Sequence, residues 1–272
     1  MSNIYKEHPS QAARIMASAK GASITDKQLE TLQGLLDKVK LTEKQAETRD
    51  DLISKRDAPP QLSVGAKTRV QEQFLFDKFG IKKDFWSKET DKGNEQEDES
   101  INLFAKTSGI FGIKKNEQTF ENDYFIGTPD IITDDAIIDI KTSFSGSTFP
   151  WFENELPENA YFYQVQAYLY LTGRQNGFVA YCLTNSDDLA IQDETRRECW
   201  RQKIIDPTDE QLDAIETKVF SQMTFDQIDD KLRVKVYEIK RNDAVIEKMI
   251  ERIKLCRVYY AELENEINNR IK

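Results

Sequence analysis

Two aspartates nine residues apart, Asp130 and Asp139, and a lysine two positions beyond the second, Lys141, are the residues of this chain whose types and spacing could do chemistry. They occur as Gly127-Thr128-Pro129-Asp130 and Asp139-Ile140-Lys141. In an extended strand, residues two apart face the same way, so Asp139 and Lys141 emerge side by side while Ile138 and Ile140 enter the core. A polar pair on an Ile-rich strand is out of place as packing. Residues 124–132 read as a strand joined to a second one, 136–142, through the acidic turn Thr133-Asp134-Asp135, and such a hairpin brings Asp130 beside Asp139. Two carboxylates converging without a nearby histidine make a hard-oxygen site suited to Mg²⁺ or Mn²⁺.

Further groups can be placed from helical spacing. Glu97 lies four residues before Ile101 and seven before Phe104, so it shares their inward face, whereas Glu95 and Asp98 point elsewhere. Gly93 would let the chain approach closely at that helix start. On a later helix Gln164 and Tyr168 are one turn apart and present an amide and a hydroxyl towards the strand bearing Lys141, with Tyr161, Val165 and Leu169 as packing.

Rival chemistries are removed by composition. His8 is the only histidine, which excludes Ser-His-Asp and Cys-His catalysis and HExxH zinc sites. Cys182, Cys199 and Cys256 form no CxxC pair, so a zinc ribbon or a four-cysteine cluster is unsupported, and their scatter fits a reducing cytoplasm. With 38 Lys+Arg against 48 Asp+Glu, the net charge of −10 argues against a purely electrostatic coat for nucleic acid but not against an enzyme whose acidic pocket takes a metal. Other acid-x-Lys triplets occur at Glu216, Asp229 and Glu238. The last has an Asp nine residues earlier, yet it lacks the Pro-Asp turn, the preceding Glu helix and the following Gln/Tyr helix.

The elements that must position these residues follow from pattern. Residues 1–60 read as a helical, polar accessory region in which Leu29, Leu32, Leu35, Leu36 and Val39 follow the 3.6-residue period. Thr25 with Gln28 and Thr42 with Gln45 have capping-box spacing, and Ala58-Pro59-Pro60 ends the last helix. Residues 61–272 read as one mixed α/β domain: a helix over 94–106, the two strands, a loop over 143–157, a helix over 160–172 closed by Gly173, a strand over 177–184, a helix over 194–203, a strand over 232–240 and a terminal helix over 244–270. No run approaches the ~18 apolar residues of a membrane span and the start lacks a signal-like apolar stretch, so a soluble, unexported, cytoplasmic protein is expected.

Glu97, Pro129-Asp130, Asp139-Ile140-Lys141 and Gln164-x-x-x-Tyr168 together resemble the PD-(D/E)XK nuclease superfamily, in its RecB, lambda-exonuclease and YqaJ-type phage branch, over about residues 92–184. The segment 62–68 is more vaguely similar to the same phage proteins. The resemblance implies a restriction-endonuclease-like α/β core, a mixed central sheet flanked by helices. It also implies one or two Mg²⁺ or Mn²⁺ ions held by Glu97, Asp130, Asp139 and the carbonyl of Ile140, with Lys141 orienting water and Gln164 and Tyr168 bordering the site. It points to a metal-dependent deoxyribonuclease, an exonuclease on linear duplex DNA in phage recombination or repair, within the host cytoplasm if phage-encoded. A single-strand annealing protein as partner and a homo-oligomeric ring come from the same resemblance. The alternatives are a restriction or junction-resolving endonuclease, and a catalytically silent DNA-binding or assembly module.

Other features have blander readings. Gly65-Ala66-Lys67-Thr68 looks like the end of a Walker A loop but lacks the earlier glycine. Lys67 and Arg69, Lys114-Lys115, and the group Arg196, Arg197, Arg201 and Lys203 are either phosphate contacts or solvated charge. Phe149, Trp151 and Phe152 either stack on a base or pack beneath the long helix.

Overall fold

The structure, a computed structural model, describes residues 4–17, 24–82, 92, 96–110 and 112–271. The N-terminal helices are α1 (Ala12–Met16), α2 (Asp26–Leu36), α3 (Glu43–Asp57) and α4 (Val64–Phe79), followed by α5 (Glu97–Ser108). Then come β1 (Phe120–Glu121), β2 (Ile126–Gly127), β3 (Ile131–Ile132), β4 (Ala136–Thr142), α6 (Asn159–Thr172) and β5 (Asn176–Cys182). The chain closes with α7 (Asp188–Arg201), α8 (Asp209–Met223), β6 (Val234–Lys240) and α9 (Asp243–Ile271).

These elements form two compact units that do not follow chain order. The first contains Met1–Lys83, Asp123–Phe125 and Asp243–Lys272, so residue 60 falls inside it and α4 and α9 belong with the N-terminal helices. Both expected capping boxes are formed, Thr25 with Gln28 and Thr42 with Gln45. Of the expected apolar stripe, Leu32 and Leu35 of α2 are buried against Leu52 of α3, whereas Val39 lies beyond the end of α2 and is 99% exposed. Helix α4 was not expected from the sequence. Ser63 caps it by accepting from Ala66 N–H, and Gly80 ends it at φ +67°, where a side chain would be strained. Helices α1, α4 and α9 bury Ile15, Val70, Phe74, Met249 and Ile253. Within this unit Glu7 receives Arg69 at 2.7 Å and the Tyr5 hydroxyl at 2.6 Å, all three buried.

The second unit holds the four-stranded sheet, in the order β3-β4-β5-β6. Strands β3 and β4 are antiparallel, β4 and β5 parallel, β5 and β6 antiparallel, so the sheet is mixed as expected. Helix α5 covers one face, placing Ile101 and Phe104 against Ile131, Ile138 and Ile140. Helix α6 covers the other, placing Val165, Tyr168 and Leu169 against Ile137 and Val179. The close approach of α6 depends on Gly177, where a Cβ would stand 2.4 Å from Val165 Cγ1.

Strand β4 has its expected bounds, but the strand expected over 124–132 is two short pieces. Ile126–Gly127 pairs with β1 and Ile131–Ile132 with β4, and Thr128-Pro129-Asp130 interrupts them because proline has no N–H for a ladder. The helix expected from residue 94 is described from Glu97; Gly93, Asn94 and Glu95 lie outside the described residues. The strand expected over 177–184 is Asn176–Cys182, and the helix expected over 194–203 begins at Asp188, capped by Asp187. Helix α8 was missed although Thr208 and Gln211 form a capping box like the two recognised. It pairs with α7 around Cys199, Ile215 and Val219. The strand expected from residue 232 starts at Val234, after a 3₁₀ turn at Asp230–Arg233.

Candidate active site

Because both faces of the sheet are covered, Asp139 does not emerge into solvent. It is fully buried under α6. That burial is tolerable because the carboxylate is met by polar groups. Gln164 Nε2 donates to Asp139 Oδ1 at 2.8 Å, and Lys141 Nζ lies 2.9 Å from Asp139 Oδ2. Oδ2 is thus ion-paired with Lys141 and has no other donor. Lys141 Nζ also donates to Gln164 Oε1 at 3.2 Å. The strand period, which puts Asp139 and Lys141 on one face, and the α6 helix, which lays Gln164 across them, therefore close one triangle of side chains.

Asp130 enters from the proline turn. Its Oδ2 accepts from the Ile140 N–H at 2.7 Å, between the two β4 residues of the triangle. The turn is pinned from three sides. Asn116 N donates to Asp130 O at 2.7 Å, Asn116 Nδ2 to Pro129 O at 2.9 Å, and the Tyr168 hydroxyl to Thr128 O at 3.0 Å. Tyr168 thus fixes the loop rather than facing Lys141. Burial, then the charges of Asp139 and Glu97, push Asp130 up to about 7, against Lys141 and the Ile140 N–H. Burial also raises Asp139, with Lys141 opposing. Burial works against the Lys141 charge, but the Asp139 carboxylate outweighs it and the ammonium is held above its ordinary value.

Glu97 is the first residue of α5, and its carboxylate is held by Lys115 Nζ at 2.8 Å rather than aimed freely at the aspartates. Among the described residues no three carboxylate, thiol or imidazole side chains stand close enough to form a metal cage as placed. Glu97 is nonetheless near enough for its charge to act on both Asp130 and Asp139.

The remaining sequence candidates separate cleanly. In the decoy, Glu238 and Lys240 are exposed on the edge strand β6 and pair with each other, while Ile239 points into the core. Arg69 is committed to Glu7, and Lys67 lies 5.4 Å over the Tyr259 ring. Arg196, Arg197 and Arg201 pair with Asp193, Glu194 and Glu198 along α7. Phe149 is buried, while Phe152 is 90% exposed. Lys92, which no pattern singled out, is buried and donates to Phe144 O and Thr184 O at 3.1 Å each.

A phage-related exonuclease from Haemophilus somnus 129PT has the same architecture, with 25% identity and a TM-score of 0.64 over 97% of this chain and 96% of that one. The chain has the fold of that exonuclease. An alkaline exonuclease from Laribacter hongkongensis is similar in fold alone, at 14% identity and a TM-score of 0.53 over 98% of this chain and 92% of that one. No protein-family model and no curated protein matches the chain.

Proposed function

We propose that this chain is a nuclease of the PD-(D/E)XK type that hydrolyses phosphodiester bonds with the help of Mg²⁺ or Mn²⁺, acting as an exonuclease on linear duplex DNA in phage recombination or repair. The observation that carries the reading is the buried Asp139 carboxylate, whose Oδ2 is met by the Lys141 ammonium alone, with a second carboxyl, Asp130, held beside it on the Ile140 N–H. Two carboxyls sharing one ammonium in a largely buried site leave negative charge that a further cation would balance. The donor set fits a hard divalent ion, since Asp130, Asp139 and the nearby Glu97 offer oxygen and no nitrogen or sulfur. Asp130, Asp139 and the Ile140 carbonyl would hold it, with Glu97 joining on release from Lys115. Bound there, the ion would supply Lewis acidity to the phosphate and acidify the attacking water.

The chain's own groups divide the rest. Gln164 holds Asp139 through Oδ1, and the cation would share Oδ2 with Lys141. Lys141 stays protonated, so it serves as a donor that orients water and neutralises charge developing on the phosphate, not as a base. Tyr168 and Asn116 keep the turn that carries Asp130 from drifting. Likeness to a phage-related exonuclease along nearly the whole chain favours an end-dependent enzyme over an endonuclease.

The test is digestion of a 5′-phosphorylated linear duplex and a covalently closed circle, each with Mg²⁺, Mn²⁺ or EDTA. Metal-dependent loss of the linear DNA alone, abolished by Asp139→Asn, is the expected result. Cutting of both substrates would make it an endonuclease, and cutting of neither would leave the silent DNA-binding module.

A further inference from the structure

Lys141 sits in a three-sided seat of which the carboxylate and the amide are two sides. The third is aromatic: the ring of Tyr161 lies with its centroid 4.4 Å from Lys141 Nζ. Tyr161 is three residues before Gln164 on α6, so the same helix face that delivers the amide delivers the ring. The ring is itself held. Tyr181 meets it edge-on at 6.1 Å and 67°, and Tyr237 meets Tyr181 at 5.9 Å and 81°. The buttress is set by strand register, because Tyr181 of β5 is the direct partner of Lys141 of β4. Packing alone would be served by leucine at 161; a buttressed ring with its face to an ammonium is a cation site.

We propose that Tyr161 is a positioning residue for Lys141, holding the ammonium in place when a divalent cation takes the Asp139 carboxylate. This rests on the nuclease reading of the site. Asp139 Oδ2 has two claims on it: it is the ion-pair partner of Lys141 and also the buried oxygen that a cation would share. A cation there draws off the charge that holds the lysine and repels the ammonium. Gln164 Oε1, a neutral acceptor at 3.2 Å, is then the only oxygen retaining it within the triangle. The negative face of an aromatic ring attracts an ammonium without offering an oxygen that would compete for the metal. The ring face does this, not the hydroxyl, so phenylalanine suffices.

The test compares the full-length wild-type protein with Tyr161→Phe and Tyr161→Leu by two readouts. In metal-dependent cleavage of linear duplex, Tyr161→Phe keeps kcat within about twofold. Tyr161→Leu lowers it about tenfold at unchanged KM, the scale of a desolvated cation–ring contact. By NMR, the Lys141 side-chain methylene next to Nζ carries an upfield ring-current shift in wild type and Tyr161→Phe, lost in Tyr161→Leu, and that shift survives saturating Mg²⁺. A shift that vanishes on adding Mg²⁺, or an unaltered kcat in Tyr161→Leu, overturns the proposal. Should Tyr161→Leu fail to fold, progressively fluorinated phenylalanines at 161 keep the shape and weaken the ring face; a kcat that does not fall along that series overturns it equally. A wild-type protein that cleaves nothing refutes the nuclease reading, while the shift in Mg²⁺ still decides the role of Tyr161.

Discussion

Gln164→Leu removes both hydrogen bonds that tie α6 to the reactive strand while leaving helix and volume nearly intact, since leucine is as good a helix former as glutamine. The amide donates to Asp139 Oδ1 at 2.8 Å and accepts from Lys141 Nζ at 3.2 Å. A hydrogen bond to a charged group contributes about 1.5–3 kcal/mol, and the longer bond sits at the weak end of useful geometry. Together they contribute about 3 kcal/mol. Asp139 is fully buried and its Oδ2 has no donor besides Lys141, so the variant leaves its carboxylate with that ammonium alone. Expressed in the reaction at about 1.4 kcal/mol per tenfold, the loss lowers kcat on the order of 100-fold. Expressed in the metal-free fold at about 2–4 °C per kcal/mol for a chain of this size, it lowers Tm by about 6–12 °C. Single-turnover cleavage of linear duplex and a melting curve in EDTA measure the two. A Gln164→Leu protein with kcat within threefold of wild type and an unchanged Tm would refute the claim that the amide organises the Asp139–Lys141 pair.

Three further outcomes are expected. Asp130 is raised to about 7, so its ionised form is disfavoured in the fold: the penalty is absent below about pH 4 and complete above about pH 7. Metal-free wild type therefore loses stability across that window relative to Asp130→Asn, and parallel urea midpoints for the two proteins would contradict this. Glu7→Gln leaves the buried Arg69 guanidinium without its counter-charge, which costs about 3–5 kcal/mol; thermal melting reads it, and the double variant Glu7→Gln/Arg69→Met recovers part of the loss. Gly177→Ala forces a methyl to within 2.4 Å of Val165 Cγ1 and lowers stability by about 1–3 kcal/mol through displacement of α6 from β5; an unchanged denaturation midpoint would show that α6 has slack.

Much of the fold was legible because the signals were local. Strand β4 was readable from end to end, because its β-branched run is bounded by the acidic turn before it and the Ser/Gly-containing loop after it. The caps Thr25 and Thr42 were readable because a capping box is a four-residue device. Helices α4 and α8 were equally legible in principle, since Ser63 and Thr208 carry the same cap chemistry and Ile215 and Val219 give α8 an apolar face. The N-terminal stripe was legible only in part, since α2 ends at Leu36 and Val39, three residues further on, lies outside the helix and exposed.

For the site, residue types and spacing by themselves determined that Asp139 and Lys141 share a face and that Gln164 lies one helical turn from Tyr168, because strand and helix periods are properties of the backbone. Which groups those faces meet is a matter of register and packing between segments far apart in sequence. Only the tertiary structure decided that Asp139 is buried rather than exposed, that Asp130 is held by the Ile140 N–H, that Glu97 is occupied by Lys115, and that Tyr168 secures Thr128. The parallel pairing of β4 with β5 sets Tyr181 beside Lys141 and so places the Tyr161 ring over the ammonium. No local pattern encodes that meeting, because each partner comes from a different element and only the shared core brings them within contact distance.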